Sequence, residues 1–126
     1  MPGDEDYVIL SIDRIGEVAI VECEGAIVRC EAACRLRNSV TSLEARIVVL
    51  DLSEVNMIDG NGLSMFLFLQ QWAYHNGIQL KLFNPRWCVR ERLEHASPIP
   101  SFDIASVDEM TAILANAGRR GLDLAA

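Results

Sequence analysis

The sequence predicts an α/β domain with one mixed sheet of about five strands, an N-terminal hairpin followed by parallel strands, and about four helices. Two short β-branched runs lie close together near the N-terminus, and strand-like and helix-like segments then alternate along the chain. This alternation favours parallel strands joined by helical crossovers. A third observation is the run from Ile47 to Leu50, which is apolar throughout and is typical of a central strand buried on both faces.

The first elements follow from residue type and spacing. Tyr7 to Ile12 and Val18 to Cys23 are rich in β-branched residues, which favours strands. Residues 14–17 predict the hairpin turn between them, and Gly25 is expected to close the second strand. Residues 27–43 then predict a helix from an apolar stripe at steps of three and four residues. Its members are Ala33, Leu36, Val40 and Leu43.

Helix starts and stops organise the second half of the chain. The apolar segment from Leu63 to Tyr74 predicts the second helix, which Asn76-Gly77 is expected to end. Ile78 to Phe83 is the next predicted strand. Asn84-Pro85 predicts the N-cap and first position of a third helix that reaches about His95, and the prolines within 97–100 prevent its continuation.

The last predicted elements are a short strand over 102–104 and a final helix. Ser106 and Glu109 form the sequence pattern of a capping box, and Gly118 is expected to stop the helix. Its predicted inner face consists of Met110, Ile113, Leu114 and Ala117. We expect one domain over 1–126, with an ordered core over about 7–118 and flexible ends over 1–6 and 119–126.

Composition narrows the class of protein. The formal net charge is −7 and Lys81 is the single Lys, which argues against nucleic acid as the main partner. We interpret Arg86, Arg90 and Arg92 as a solvated face of the third helix. No apolar run is long enough to span a membrane, and the acidic N-terminus is unlike a signal peptide. We therefore expect a cytoplasmic protein with no membrane insertion.

The four Cys show no Cys-x-x-Cys pair. We expect reduced and mostly buried thiols. Cys30 and Cys34 are four residues apart, so in a helix they would share a face. No His stands near them in sequence, and we predict no metal site.

One segment carries a family resemblance. Asp51-Leu52-Ser53 follows the apolar strand, and Ile58-Asp59-x-x-Gly62-Leu63 opens the next helix. This spacing resembles the signature of the STAS domain family, and Asn84-Pro85 after the next strand is also similar. The order of strands and helices agrees from about Tyr7 to Ala117. The resemblance implies a STAS-like sheet and a bacterial anti-sigma-factor antagonist, which regulates transcription by binding an anti-sigma factor with a kinase fold.

The resemblance also implies a phosphorylation switch that this sequence lacks. Members of this type carry a phosphorylated Ser directly after the motif Asp, and this position is Gly60 here, with Asn61 at the following Ser position. Since Gly60 has no hydroxyl group, it cannot be phosphorylated. Ser64, on the first turn of the same helix, is the alternative acceptor. The chain then acts either as a permanently unphosphorylated antagonist or with another partner.

The predicted partner-binding residues are Asp59, Gly60, Asn61, Gly62, Ser64, Phe68 and Trp72. The helix from Leu63 to Tyr74 has few polar positions, so we expect some apolar side chains to remain exposed and to mark an interface. Trp87 is expected to extend this patch. The structural alternative is that either Asp59 or Asn61 caps the helix and that Gly60 and Gly62 permit positive φ.

Three functions remain open, and none of them is enzymatic. No phosphate-binding glycine loop and no recognisable nucleophile–base pattern occurs, so we predict no catalytic residue and no cofactor. The leading function is a partner-binding regulatory domain. The alternative is an assembly subunit of a stressosome-like scaffold or of a phospholipid-transport ABC system. An anion or small-ligand sensor at the same turn is a third interpretation, and a homodimer is one alternative for the oligomeric state.

Overall fold

A computed structural model of the chain describes residues 8–95 and 102–125. Within these residues, five strands and four helices follow the predicted order. They are β1 (Val8–Ile15), β2 (Val18–Ile27), α1 (Arg29–Thr41), β3 (Ile47–Ile58), α2 (Gly60–His75), β4 (Gln79–Phe83), α3 (Trp87–His95), β5 (Ile104–Ala105) and α4 (Val107–Ala125). The predicted flexible end 1–6, the predicted strand start Tyr7 and the prolines of 97–100 lie outside the described residues.

The described strands form one sheet in the order β1-β2-β3-β4-β5. β1 and β2 are antiparallel, and the other neighbours pair in parallel, which confirms the predicted mixed sheet. β3 lies at the centre, where Val48, Val49 and Leu50 have no accessible surface. This strand continues well beyond the apolar run, to Ile58, so it includes the Asp-Leu-Ser motif.

Two glycines shape the N-terminal strands. Gly16 has a φ of 59° in a two-residue turn between Ile15 and Val18, so the turn is shorter than the predicted 14–17. Gly25 has a φ of 106°, yet β2 continues to Ile27 with a register shift at this point. The prediction that Gly25 closes β2 is wrong, because a glycine with positive φ accommodates a bulge as well as a strand end.

The sheet separates two apolar cores. The larger core packs α1, α2 and α3 on one face, and it contains Leu36, Phe66 and Val89. The smaller core joins α4 to the other face. Because successive residues of a strand point to opposite faces, Val48 contributes to the larger core and Val49 to the smaller one. The carboxyl end of β3 and the start of α2 therefore lie at an edge above the larger core.

The start of α3 differs from the prediction. Asn84 has a φ of 52°, whereas an N-cap residue needs extended backbone, so Asn84-Pro85 does not open the helix. Instead the helix begins at Trp87, and the carbonyl of Arg86 accepts a hydrogen bond from the Arg90 N–H at 2.8 Å. The turn at Asn84 thus delays the helix by two residues relative to Pro85.

The start of α4 confirms the predicted capping box. The Glu109 N–H donates to Ser106 Oγ at 3.1 Å, and the Ser106 N–H donates to Glu109 Oε1 at 3.4 Å. The predicted stop at Gly118 is wrong, since the helix continues to Ala125. Gly118 does not have positive φ, and a glycine inside a helix costs only about 1 kcal/mol. The predicted flexible segment 119–126 is thus helical as far as Ala125.

The cysteines are less buried than predicted. Only Cys23 is buried, whereas Cys34 is half-buried and Cys30 and Cys88 are exposed. Burial, with a smaller contribution from the Asp51 charge, raises the pKa of Cys23 to about 12. Cys30 and Cys34 are excluded from the core because other residues fill the inner face of α1. These are Ala32, Ala33, Leu36 and Val40.

Lys81 connects β4 to the start of α4. Its Nζ lies 2.8 Å from Asp103 Oδ2 and 3.5 Å from Glu109 Oε2, and only 16% of its side chain is exposed. The hydrogen bond to Asp103 raises the pKa of Lys81, and it outweighs the opposing effect of partial burial. The single Lys of the chain therefore stabilises the fold.

We expect Lys81→Met to lower the free energy of unfolding at pH 7 by about 1 kcal/mol, because both carboxylates are partly exposed. The folded-state pKa is raised, so this contribution is complete below the unfolded pKa and is lost as pH rises through the folded pKa. Urea unfolding at pH 7 and pH 11 measures both effects. Arg90→Met, which removes an exposed pair with Glu94, should cost no more than about 0.5 kcal/mol. A difference between wild type and Lys81→Met that is equal at the two pH values would contradict this role.

Candidate functional site

The Asp-Leu-Ser motif has a structural role within β3. Asp51 Oδ1 accepts hydrogen bonds from the Ser53 N–H at 3.0 Å and from the Ser53 hydroxyl at 2.7 Å. Leu52, between these two residues, is completely buried in the larger core. The motif therefore stabilises the carboxyl end of β3, which leads directly to the start of α2.

Asp59 links the starts of two helices. It is the N-cap of α2, as predicted, and its Oδ1 accepts a hydrogen bond from the Gly62 N–H at 3.0 Å. Its Oδ2 accepts another from the N–H of Arg29 at 2.9 Å. Arg29 begins α1 with a φ of 67°, and the N-cap of α1, Val28, makes no side-chain cap hydrogen bond. One carboxylate therefore serves both helices.

The hydrogen bonds keep Asp59 charged. Partial burial tends to raise the pKa of Asp59, but the N–H groups of Arg29 and Gly62, together with Asn61, stabilise the carboxylate more strongly. The pKa therefore lies below its ordinary value. Asn61 is the second residue of α2 and not its N-cap, and its Nδ2 donates to Asp59 Oδ2 at 3.4 Å. The turn thus presents a negative charge at neutral pH.

Gly60 and Gly62 have different roles in this turn. Neither has positive φ, so that predicted reason for the two glycines is wrong. A Cβ at Gly62 would lie 2.6 Å from the Ile27 carbonyl oxygen and 2.6 Å from Ile58 Cγ1, so this glycine permits the close approach of α2 to the sheet. A Cβ at Gly60 would meet nothing within 4 Å. A side chain at position 60 would therefore point toward solvent.

A groove of about 210 Å³ runs between α1 and α2 beside this turn. Its polar and aromatic lining residues are Cys30, Cys34, Arg37, Asn61, Ser64 and Phe68. The three from α2 are separated by three and four residues, which places them on one helix face. Phe68 is 47% exposed, and the guanidinium carbon of Arg37 lies 5.6 Å from its ring centroid. The groove therefore combines an exposed aromatic ring with polar groups.

Most of the apolar residues of α2 are buried or half-buried. Met65 and Leu69 belong to the larger core, and Trp72 packs against it. The expectation that apolar residues remain exposed holds for Phe68, but not for Met65 or Leu69. Trp87 is 75% exposed but is not among the residues that line the groove, so its extension of this patch stays a prediction. The sheet and α1 together cover more of α2 than its composition indicates.

The three predicted arginines of the third helix region are exposed. The Arg86 Nε donates to the Ser53 carbonyl at 2.9 Å, and Arg90 Nε lies 3.0 Å from Glu94 Oε1. Arg86 thus connects the start of α3 to the end of β3.

Among residues 8–95 and 102–125, no group of three or more His, Cys, Asp or Glu side chains is arranged to hold a metal ion. His75 and His95 are the last residues of α2 and α3. The His95 Nδ1 lies 2.9 Å from the Glu91 carbonyl oxygen, and the His75 ring packs against Tyr74.

In the same described ranges, no helix has both the length and the apolar character needed to cross a membrane.

The structure is a small α/β domain with an exposed polar turn where its second helix begins. The family follows from the comparison with family models, in which the STAS domain matches residues 10–111. The chain belongs to the STAS domain family, and the resemblance carried by Asp51-Leu52-Ser53 and the Asp59 turn is confirmed.

Solved structures share this fold at low sequence identity. The anti-sigma factor antagonist SpoIIAA in its unphosphorylated form has a TM-score of 0.68 at 12% identity, covering 86% of this chain and 97% of SpoIIAA. A variant of RsbS from Moorella thermoacetica has a TM-score of 0.66 at 14% identity, covering 87% and 97%. An anti-sigma factor antagonist from Mycobacterium paratuberculosis has a TM-score of 0.61 at 15% identity, covering 87% and 96%. A search of curated protein sequences found no match.

The structure gathers most of the predicted partner-binding residues at one edge. Asp59, Gly60 and Asn61 form the turn, and Ser64 and Phe68 line the adjoining groove. Two predicted residues have other positions, since Gly62 is buried beneath the turn and Trp72 packs on the core. Sequence reasoning missed the Arg29 N–H contact, because nothing local to Arg29 points to a residue thirty positions away.

Proposed function

We propose that this chain is a regulatory STAS domain that binds a protein partner through a docking edge formed by Asp59, Gly60, Asn61, Ser64 and Phe68. The observation that carries the proposal is the turn with its charged carboxylate, which adjoins a groove containing an aromatic ring that is 47% exposed. Aromatic residues, Phe among them, are enriched at the core of protein–protein interfaces. Gly62 supports this edge from below, because a Cβ there would clash with the sheet.

The partner we propose is an anti-sigma factor with a kinase fold. The fold likeness to SpoIIAA, which is named an anti-sigma factor antagonist and is known in unphosphorylated and phosphorylated forms, supports this choice. Such a partner would place the chain in the bacterial cytoplasm as a regulator of transcription, with no catalytic activity of its own. Because Gly60 has no hydroxyl group, the chain would remain permanently in the partner-binding form. Ser64 is the alternative phosphorylation site, since it is exposed on the same edge.

A second candidate is an assembly subunit of a stressosome-like scaffold. The likeness to a chain of the stressosome, with a TM-score of 0.61 at 14% identity, favours it over the phospholipid-transport alternative. In that case the docking edge would be covered permanently by a neighbouring subunit. Purification with a bound neighbour at a fixed ratio would favour the scaffold, and a stable free monomer would argue against it.

Gly60→Glu should lower the affinity of the chain for a kinase-fold anti-sigma factor at least tenfold. The new side chain lies in the docking edge, where it blocks close approach of the partner and its charge must be desolvated. It should not unfold the domain, because position 60 is open and a carboxylate in the first turn of a helix is stabilising. Affinity capture from native lysate, followed by calorimetry with the purified partner, measures the change.

Ala115→Glu is the control. Ala115 is exposed on α4, which packs against the opposite face of the sheet from α2, so the same charge there should leave the affinity within about twofold of wild type. Equal capture by wild type and Gly60→Glu would rule out this docking edge. Recovery of no kinase-fold partner at micromolar concentration would rule out the proposed class of partner.

A further inference from the structure

Cys30 and Cys34 form a pair of free thiols in the first turns of α1. Their Sγ atoms are 3.8 Å apart, and both residues line the groove beside Phe68. The Arg37 Nη2 lies 3.9 Å from the sulfur of Cys34. The docking function proposed above makes no use of this pair. Two adjacent accessible thiols beside a cation have the features of a redox-sensitive site.

The two sulfurs are not equivalent. The hydrogen bond between the two thiols raises the pKa of Cys30. Cys34 lies beside the cation, with its sulfur 3.9 Å from Arg37 Nη2, and reactive cysteines occur in electropositive, partly exposed surroundings. We therefore assign the attacking sulfur to Cys34 and the second, resolving thiol to Cys30.

We propose that Cys30 and Cys34 are a dithiol oxidation site that hydrogen peroxide converts into an intrahelical disulfide, and that this disulfide weakens the docking edge. The Cys34 sulfur attacks one peroxide oxygen, the O–O bond breaks, and the departing hydroxide takes up a proton as water. Cys34 is now a sulfenic acid. The Cys30 sulfur attacks the Cys34 sulfur, the S–O bond breaks, and the departing hydroxide takes up the Cys30 proton to leave as a second water. Two thiols thereby give two electrons to the peroxide.

Oxidation should disturb the start of α1. Residues four apart on a helix have Cβ atoms about 5–6 Å apart, whereas a disulfide needs about 3.8 Å. Closing this gap must tighten the first turn, which begins with Arg29. The Arg29 N–H donates to the same Asp59 carboxylate that caps α2. Tightening this turn therefore pulls on the docking edge, and this regulatory part of the inference rests on the proposed function.

Peptide mapping tests the oxidation site on the full chain. Trypsin cleaves after Arg29 and Arg35, so both thiols lie in the peptide 30–35, while Cys88 lies in the separate peptide 87–90. After peroxide treatment and alkylation, peptide 30–35 should lack two hydrogen atoms and carry no alkyl group, and dithiothreitol should reverse this. It should form at least tenfold faster than the oxidation product of Cys88, an exposed thiol on α3.

Two variants provide the controls. Cys34→Ser should give no disulfide within peptide 30–35, and Cys88→Ser should behave as wild type. Two alkylated thiols in peptide 30–35, at peroxide concentrations that oxidise Cys88, would overturn the proposal.

Amide hydrogen exchange tests the coupling to the docking edge. The Arg29 and Gly62 amides both donate to Asp59, and both should exchange faster in the oxidised protein. At Arg29 the protection factor should fall at least tenfold. Unchanged protection at both amides would overturn the regulatory part. These measurements use the protein alone, so they remain decisive if no partner is captured. Conversely, capture of the partner without disulfide formation would leave the docking function intact and reject this site.

Discussion

Gly62→Ala is expected to lower the free energy of unfolding by about 3 kcal/mol, the upper part of the range for inserting a methyl group into a packed site. The new Cβ would lie 2.6 Å from the Ile27 carbonyl oxygen and 2.6 Å from Ile58 Cγ1. The first is backbone within the sheet, and the second belongs to a side chain that is 2% exposed, so neither can move away easily. The start of α2 must shift instead. Urea unfolding followed by circular dichroism measures the loss.

Gly60→Ala is the matched control in the same turn. Its Cβ meets nothing within 4 Å and its backbone φ is not positive. We therefore expect no loss, and a gain of up to about 1 kcal/mol from the lower entropy of the unfolded chain. Equal destabilisation by the two substitutions would show that the turn needs glycine flexibility rather than the close approach at Gly62.

Asp59→Ala is expected to lower the free energy of unfolding by about 2 kcal/mol. Losing one N-cap interaction typically costs about 1 kcal/mol, and this carboxylate accepts hydrogen bonds from the starts of two helices. The substitution leaves the Arg29 and Gly62 N–H groups without their acceptor. It also removes the hydrogen bond that holds Arg29 at a φ of 67°. Asp59→Asn should lose less, since its amide oxygen can still accept one of the two hydrogen bonds. Equilibrium unfolding in urea at pH 7 ranks the three proteins.

The pH dependence of stability distinguishes the contribution of the Asp59 charge from that of its side-chain packing. Its pKa is lowered in the folded protein, so its contribution is present above the unfolded pKa of about 3.9 and is lost as pH falls through the lower folded pKa. The difference in unfolding free energy between wild type and Asp59→Ala should therefore shrink below about pH 4. A difference that stays constant between pH 7 and pH 3 would mean that the carboxylate charge does not matter.

The residues that stabilise the docking edge differ from those exposed on its surface. Asp59 and Gly62 hold α2 against the sheet, through two hydrogen bonds and one close contact. Gly60, Asn61 and Ser64 are exposed on the outer side of the same turn. Substitutions in the first group should therefore change stability, and those in the second group should change affinity at nearly constant stability. The separation makes the proposed docking function testable without unfolding the domain.

Sequence patterns predicted the order and type of every element in the described fold. The apolar run of β3, the capping box of α4 and the N-cap Asp59 were all correct, since each depends on residues no more than four positions apart. The errors arose at residue types that occur in more than one backbone conformation. Asn84 has positive φ and is not a cap, and Gly118 continues a helix and does not end it. Composition alone does not distinguish these conformations.

What the sequence determined by itself is therefore the strand and helix order, the STAS signature and the missing hydroxyl at Gly60. Only the tertiary structure decided why Gly62 is a glycine, that Asp59 also binds the Arg29 N–H, and that Cys30 and Cys34 border the docking groove. All three depend on the parallel pairing of β2 with β3, which sets Ile27 opposite Ile58 and brings the starts of α1 and α2 together. Local sequence patterns depend on residues within one or two helical turns of each other, whereas this strand pairing brings together residues about thirty positions apart.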